Sequence, residues 1–139
     1  MSKGPYFIMK KVEVVAGIII CKDSILCCQR KTNKYPYLSE KWEFPGGKLE
    51  EGETREEALI REIDEELEME IKDLKFALTV VHQYKDFQLT MHAYFAYSQK
   101  SKMKLNDHKD AVWAAVEEVG KFDWAAADIP IVEYIQNKL

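Results

Sequence analysis

The sequence predicts a single α/β domain spanning residues 1–139, built from a mixed β-sheet and two main helices. Three observations lead there. A chain of 139 residues that is 47% apolar and 12% aromatic has the usual size of one domain and enough material for one core. Val12–Ile20 is an almost unbroken β-branched apolar run, the pattern of a strand buried on both faces. From Thr54 onward, Leu59, Ile63 and Leu67 recur at i, i+4 and i+8, the buried stripe of an amphipathic helix. There are no repeats, low-complexity tracts or linkers.

The elements follow in order. After the Val12–Ile20 strand, Lys22-Asp23 marks a turn and Ser24–Gln29 reads as the returning strand of a hairpin. Thr32–Lys41 is polar and carries Pro36, so it reads as a loop. Trp42-Glu43-Phe44-Pro45-Gly46-Gly47-Lys48 is a short extended segment broken by a turn, whose glycines let the backbone come close to a neighbour. Thr54-Arg55-Glu56-Glu57 is a capping box that opens the helix. Phe76–Tyr84 is strand-like, and the alternation of Phe87, Leu89, Met91, Ala93, Phe95 and Tyr97 predicts a half-buried antiparallel strand. Gln99–Asp110 reads as a lysine-rich loop, Ala111–Val116 as a short strand, and Ile129–Leu139 as a terminal helix with Pro130 in its first turn.

Bulk features narrow the function. Cys21, Cys27 and Cys28 include an adjacent pair and no C-x-x-C spacing, which fits neither a disulfide framework nor a closed zinc site; they read as buried thiols. Met1–Lys11 lacks a signal-peptide apolar core, and no apolar run approaches the roughly 20 residues of a membrane helix. A cytoplasmic protein with no membrane partner is the expectation. The net charge of −4 is unevenly placed. Between Glu50 and Glu70, ten glutamates and Asp64 stand against Arg55 and Arg61, a net of −9, so the remainder carries +5. So dense a run of like charge destabilises the fold unless a cation offsets it.

Glu62, Glu65 and Glu66 fall at i, i+3 and i+4, which places three carboxylates on one helical face. They occupy the C-terminal half of the helix, where the macrodipole disfavours negative charge. Three such carboxylates after a glycine turn suit hard divalent cations, Mg²⁺ or Mn²⁺, which take oxygen ligands together with substrate phosphates.

The run Gly47-x5-Glu53-x7-Arg61-Glu62-Ile63-x-Glu65-Glu66-x-x-Met69 resembles the Nudix box and agrees at eight of nine defined positions. The exception is Glu68, where the family has a glycine that serves to end the helix. The segment before the box is similar to that of MutT-like members, and Trp124–Ile135 is similar to the end of the bacterial CTP pyrophosphohydrolases. The resemblance implies a Nudix fold, an α/β/α sandwich around a central mixed sheet. It further implies Mg²⁺-dependent hydrolysis of a nucleoside triphosphate such as CTP, dCTP or a modified or oxidised dNTP to the monophosphate and pyrophosphate, a role in nucleotide pool sanitation. The partner is then a small nucleotide and not a nucleic acid polymer, with the protein a monomer or homodimer. Hydrolysis of ADP-ribose or dinucleoside polyphosphates, and a binding module without turnover, are the alternatives.

Carried over by residue, the resemblance puts Glu62, Glu65, Glu66 and the Gly46 carbonyl at the metal, with Glu62, Glu65, Glu66 and Asp107 as catalytic candidates and Asp110 as the rival of Asp107. Arg30, Glu43, Lys48 and Asp128 are candidate substrate contacts. Gly47, Glu53 and Arg61 have structural roles, the latter two as an ion pair. Asp128 aligns with an asparagine that reads the base in relatives; an ionised aspartate only accepts, which favours a base edge with an amino group such as that of cytosine. Its other reading is as the N-cap of the terminal helix. His82 and His92 read as sheet histidines, and Tyr84 hints weakly at the dinucleoside-polyphosphate branch.

Overall fold

The computed structural model describes residues 10–139. The expectation drawn from Met1–Lys11 therefore falls almost wholly outside the described residues. The order of elements is β1 (Lys11–Cys21), β2 (Ser24–Arg30), β3 (Trp42–Glu43), β4 (Gly46–Lys48), α1 (Arg55–Leu67), β5 (Lys72–Gln83), β6 (Gln88–Tyr97), β7 (His108–Ala115), 3-10 segments Val116–Lys121 and Ala126–Asp128, and α2 (Ile129–Lys138). Among the described residues, no helix is long and apolar enough to cross a membrane.

β1 is the axis of a mixed sheet. It runs parallel to β6 from Lys11–Gln88 to Ile20–Tyr97, and β6 pairs antiparallel with β5. On its other edge β1 splits its partners. It pairs with β2 only at Ile20–Ile25 and Cys21–Ser24, while Val14–Ala16 pair with β4. β2 pairs instead with β7 and β3. The sheet thus parts into two wings, joined at the β1–β2 hairpin and open at the other end.

Alternate side chains of the strands enter two cores. Val15, Ile19, Leu26, Cys28, Tyr94 and Ala96 pack with Leu59, Ile63 and Leu67 of α1. On the opposite face Ala16, Ile18, Ile25, Met91 and Ala93 pack with Ile131, Val132 and Ile135 of α2. A sheet covered on both sides is the α/β/α arrangement, and it corrects the expectation for β6. That strand is buried on both faces, with His92, Tyr94 and Ala96 as well sealed as Met91 and Ala93. It lies parallel to one neighbour, and Phe87 stays outside it.

Two boundaries also move. β7 starts at His108, within the expected loop, because a register shift between Gln29 and Arg30 lets Arg30 pair with His108. β5 begins at Lys72, earlier than the apolar pattern suggests, because edge pairing with β6 continues through its polar start. All three cysteines are free and buried.

Helix α1 begins as expected. The Glu57 amide donates to Thr54 Oγ1 at 3.1 Å and the Thr54 amide to Glu57 Oε1 at 2.9 Å. At its far end Glu68 takes the left-handed conformation, φ 52° and ψ 45°, that the expected glycine would adopt freely. The carbonyls left over at this end are met from outside the helix. Lys104 N donates to Leu67 O at 2.9 Å and Asn106 N to Glu66 O at 3.0 Å.

Candidate active site

The parting of the sheet leaves a cleft of about 670 Å³ lined by Arg30, Glu43, Gly46, Glu66, Asp107 and Asp128 among others. Its walls come from the ends of β2, β3 and β7, from the glycine turn into β4, from the last turns of α1 and from the start of α2.

Glu43 anchors one wall. Its carboxylate accepts from Arg30 Nη1 at 2.7 Å and faces His108 Nε2 at 2.9 Å. An ionised carboxylate only accepts, so Nε2 is the ring nitrogen that bears the proton. Burial works against the charge on Glu43, but the bonds from His108 and Arg30 overcome it and hold the carboxyl below its usual range. With each oxygen engaged and the residue lining the cleft, Glu43 is the post that holds Arg30. Arg30 Nε and His108 Nδ1 are buried with no hydrogen-bond partner. His108 escaped the sequence reading, since only the long-range β2–β7 pairing brings it to Glu43.

Glu66 lies in the opposite wall. One of its oxygens, Oε1, is buried with no partner. Burial foremost, and then the charges of Glu43, Glu62 and Asp107, push its carboxyl up to about 8; the Gly46 amide opposes the shift. Asp107 lines the same cleft. Asp110 does not: its side chain accepts from the Ala111 amide at 2.8 Å.

Glu62 and Glu65 turn toward Arg61, which donates from Nη1 to Glu62 at 2.9 Å and to Glu65 at 3.4 Å. The same guanidinium grips Glu53 through two bonds, 2.6 and 2.9 Å, and donates to Lys48 O at 3.1 Å. Arg61 is therefore the internal counter-ion of the acidic helix and ties it to the preceding loop. Glu62 is mostly buried and its pKa is raised by that burial, against the pull of Arg61. In these rotamers no three of the acidic, histidine or cysteine side chains among the described residues converge closely enough to chelate an ion.

The donor set nonetheless fits a hard divalent cation. It consists of carboxylate and backbone oxygens, and Glu66 Oε1 is a buried acceptor without a donor, the condition a cation relieves. Gly46 crosses β1 so closely that a β-carbon there would sit 1.9 Å from Val15 O.

Asp128 lines the cleft and stands at the N-cap position of α2. It makes no side-chain cap on α2; Oδ1 instead accepts from the Phe44 amide at 3.0 Å. Burial, and then the charge of Glu43, raise its pKa well above the usual carboxylate range. That shift favours the protonated form, which donates as well as accepts, whereas the acceptor-only argument for an amino-bearing base assumes the ionised one. Tyr84 is buried beside it, its hydroxyl accepting from Ala127 N at 2.9 Å and its ring stacked on Tyr37 at 5.1 Å. Tyr35 and Phe87 extend this aromatic wall along the cleft. Lys48 stands exposed at the lip. His92 bonds Thr79 and Glu13 within the sheet, and His82 packs edge-on to Tyr84; neither lines the cleft.

Comparison with known proteins agrees with this layout. The family model "NUDIX domain" matches residues 11–135. The chain is similar to the CTP pyrophosphohydrolase of Escherichia coli (strain K12), 34% identical over 128 residues that cover 90% of this chain and 91% of that protein. It is also similar to a putative 8-oxo-dGTP diphosphatase 2 of Mycobacterium tuberculosis (strain CDC 1551 / Oshkosh), 35% identical over 116 residues, 83% of this chain and 81% of the other. Among solved structures, the solution structure of the MutT protein of methicillin-resistant Staphylococcus aureus 252 superposes with a TM-score of 0.68 at 36% identity, covering 95% of this chain and all of that one.

Proposed function

The chain belongs to the Nudix family, and on that premise we propose that it is a divalent-metal-dependent nucleoside triphosphate pyrophosphohydrolase, acting on CTP, dCTP or modified and oxidised dNTPs and releasing the monophosphate and pyrophosphate. The observation that carries this reading is the unpartnered Glu66 oxygen in a cleft where Arg30 also keeps a buried, unpartnered donor. One wall offers an acceptor for cations, the other a donor for phosphate oxygens.

Glu62, Glu65, Glu66 and the Gly46 carbonyl would hold Mg²⁺ or Mn²⁺. Bound there, the metal supplies Lewis-acid polarisation of a phosphoryl oxygen and charge neutralisation. Arg30, fixed by Glu43, orients the polyphosphate with a planar fork of donors. Lys48 at the lip adds a cation on the side where the chain of phosphates leaves. Asp107, exposed at the mouth beside Glu66, is the carboxylate left to accept the proton of the attacking water. The base lies against Tyr84, Tyr35 and Phe87. Burial favours the protonated form of Asp128, and in that form it can meet the cytosine N3–N4 edge at two points, donating to the ring nitrogen and accepting from the amino group.

Steady-state assays on CTP, dCTP, 5-methyl-dCTP, 8-oxo-dGTP and ADP-ribose with Mg²⁺, resolving phosphate from pyrophosphate, test the reading. Pyrophosphate release with the highest kcat/KM on a cytidine nucleotide is expected. A clear preference for 8-oxo-dGTP overturns the base assignment alone. Failure to release pyrophosphate from any triphosphate overturns the activity.

A further inference from the structure

The end of α1 departs from the family pattern at Glu68, and the structure shows what that glutamate does. Asn106 Nδ2 donates to Glu68 Oε2 at 3.0 Å and to Glu65 O at 2.9 Å, while the Asn106 amide donates to Glu66 O at 3.0 Å. Lys104 adds its amide to Leu67 O, and its ammonium lies 3.7 Å from Glu68 Oε1. Two residues of the segment leading into β7 thus satisfy three helix carbonyls, those of Glu65, Glu66 and Leu67, that lack partners within α1. The residue that follows this clamp is Asp107, whose charge acts on Glu66. A glycine at position 68 would take the same left-handed turn at no steric cost, yet would offer nothing for Asn106 to bind.

We propose that Glu68 and Asn106 form a positioning pair that docks the 104–107 segment onto the end of α1 and so sets Asp107 against Glu66 in the cleft. The inference rests on the reading of Asp107 given above. Neither residue touches substrate; both act through the placement of Asp107, and a displacement of about 1 Å at such a group can lower turnover by up to about a hundredfold. The pair replaces a backbone preference by a side-chain bond spanning two distant stretches of chain.

Glu68→Gly separates positioning from stability, because glycine suits the turn while deleting the bond. The expected result is an unchanged or higher Tm, a kcat about tenfold lower and a KM within about twofold of wild type. Glu68→Gln keeps an oxygen acceptor for Asn106 and should restore kcat. Asn106→Asp removes the donor and should match Glu68→Gly in kcat. In an Asp107→Asn background, Glu68→Gly should cause no further loss. Amide exchange at Asn106 should quicken in Glu68→Gly without any turnover measurement.

Wild-type kcat in Glu68→Gly, or a loss that adds in full to that of Asp107→Asn, overturns the proposal. So does a fall in kcat that tracks Tm across the variants. If Asp107→Asn itself leaves kcat intact while the wild type turns over nucleotide, the role of Asp107 falls, and this inference with it.

Discussion

A β-carbon placed on Gly47 would lie 2.3 Å from Cδ of Glu62. The missing side chain is therefore the space the Glu62 carboxyl occupies, and the glycine and the glutamate, far apart in sequence, define one position together. Gly47→Ala would push aside the free end of a flexible side chain, not backbone. It should fold with a Tm within a few degrees of wild type and lose about ten- to a hundredfold in kcat. Gly46→Ala differs, since its β-carbon would meet the Val15 carbonyl; about 3 kcal/mol or more of stability should go. Thermal melts and pyrophosphate assays on the two variants distinguish the cases.

Glu66 gives a pH signature. Its carboxyl titrates near the ordinary 4.5 when unfolded and is pushed up to about 8 when folded. Between those values the folded chain holds a proton the unfolded chain has lost, so this group lowers stability as pH rises across the window. Glu66→Gln should accordingly melt like wild type near pH 4 and above it at pH 8, both without divalent cations. Added Mg²⁺ should raise the Tm of wild type at pH 8 and not that of the variant, and turnover should fall on the order of a hundredfold or more.

His108 should matter without touching substrate. His108→Ala removes a bond to the Glu43 carboxylate, leaving Arg30 on a looser post. A loss of about 1–3 kcal/mol in stability and a several-fold rise in nucleotide KM are expected, with kcat less affected. Arg30→Lys, which cannot reproduce the fork, should raise KM about tenfold while leaving Tm within a few degrees.

Asp128→Asn tests the charge state of the buried acid. A neutral acid and an amide both accept from the Phe44 amide and both donate, so the variant should keep the wild-type order of nucleotide preference. It should also melt higher than wild type at pH 8, where the burial of an ionisable carboxyl weighs most. A collapse of cytidine turnover in Asp128→Asn would show that the charged form reads the base.

Helix α1 was legible from local chemistry alone: its stripe, its capping box and its line of acids all lie within one short stretch. The two-point grip of Arg61 on Glu53 follows from the same stretch, eight residues apart. What escaped depends on pairings distant in sequence. Arg30, Glu43 and His108 meet only because β2 takes β3 and β7 on its two edges, and no local signal marks His108 as more than a loop residue. Residue type alone suggests an anion at Asp128, whereas its burial beside Glu43 works against the charged form. At Glu68 the sequence pattern pointed to a difficult helix end, and the remedy lay in Asn106, 38 residues on.

The three cysteines bear on how long such an enzyme lasts. Burial pushes the Cys27 thiol up to about 12 and raises Cys28 well above its usual value, and no cysteine side chain is more than 5% exposed. Peroxide attacks the thiolate, and the Cys27 and Cys28 sulfurs offer almost none. If oxidised nucleotides are among its substrates, as proposed above, its heaviest demand comes when oxidants are abundant, and it meets that demand with every cysteine buried away from solvent.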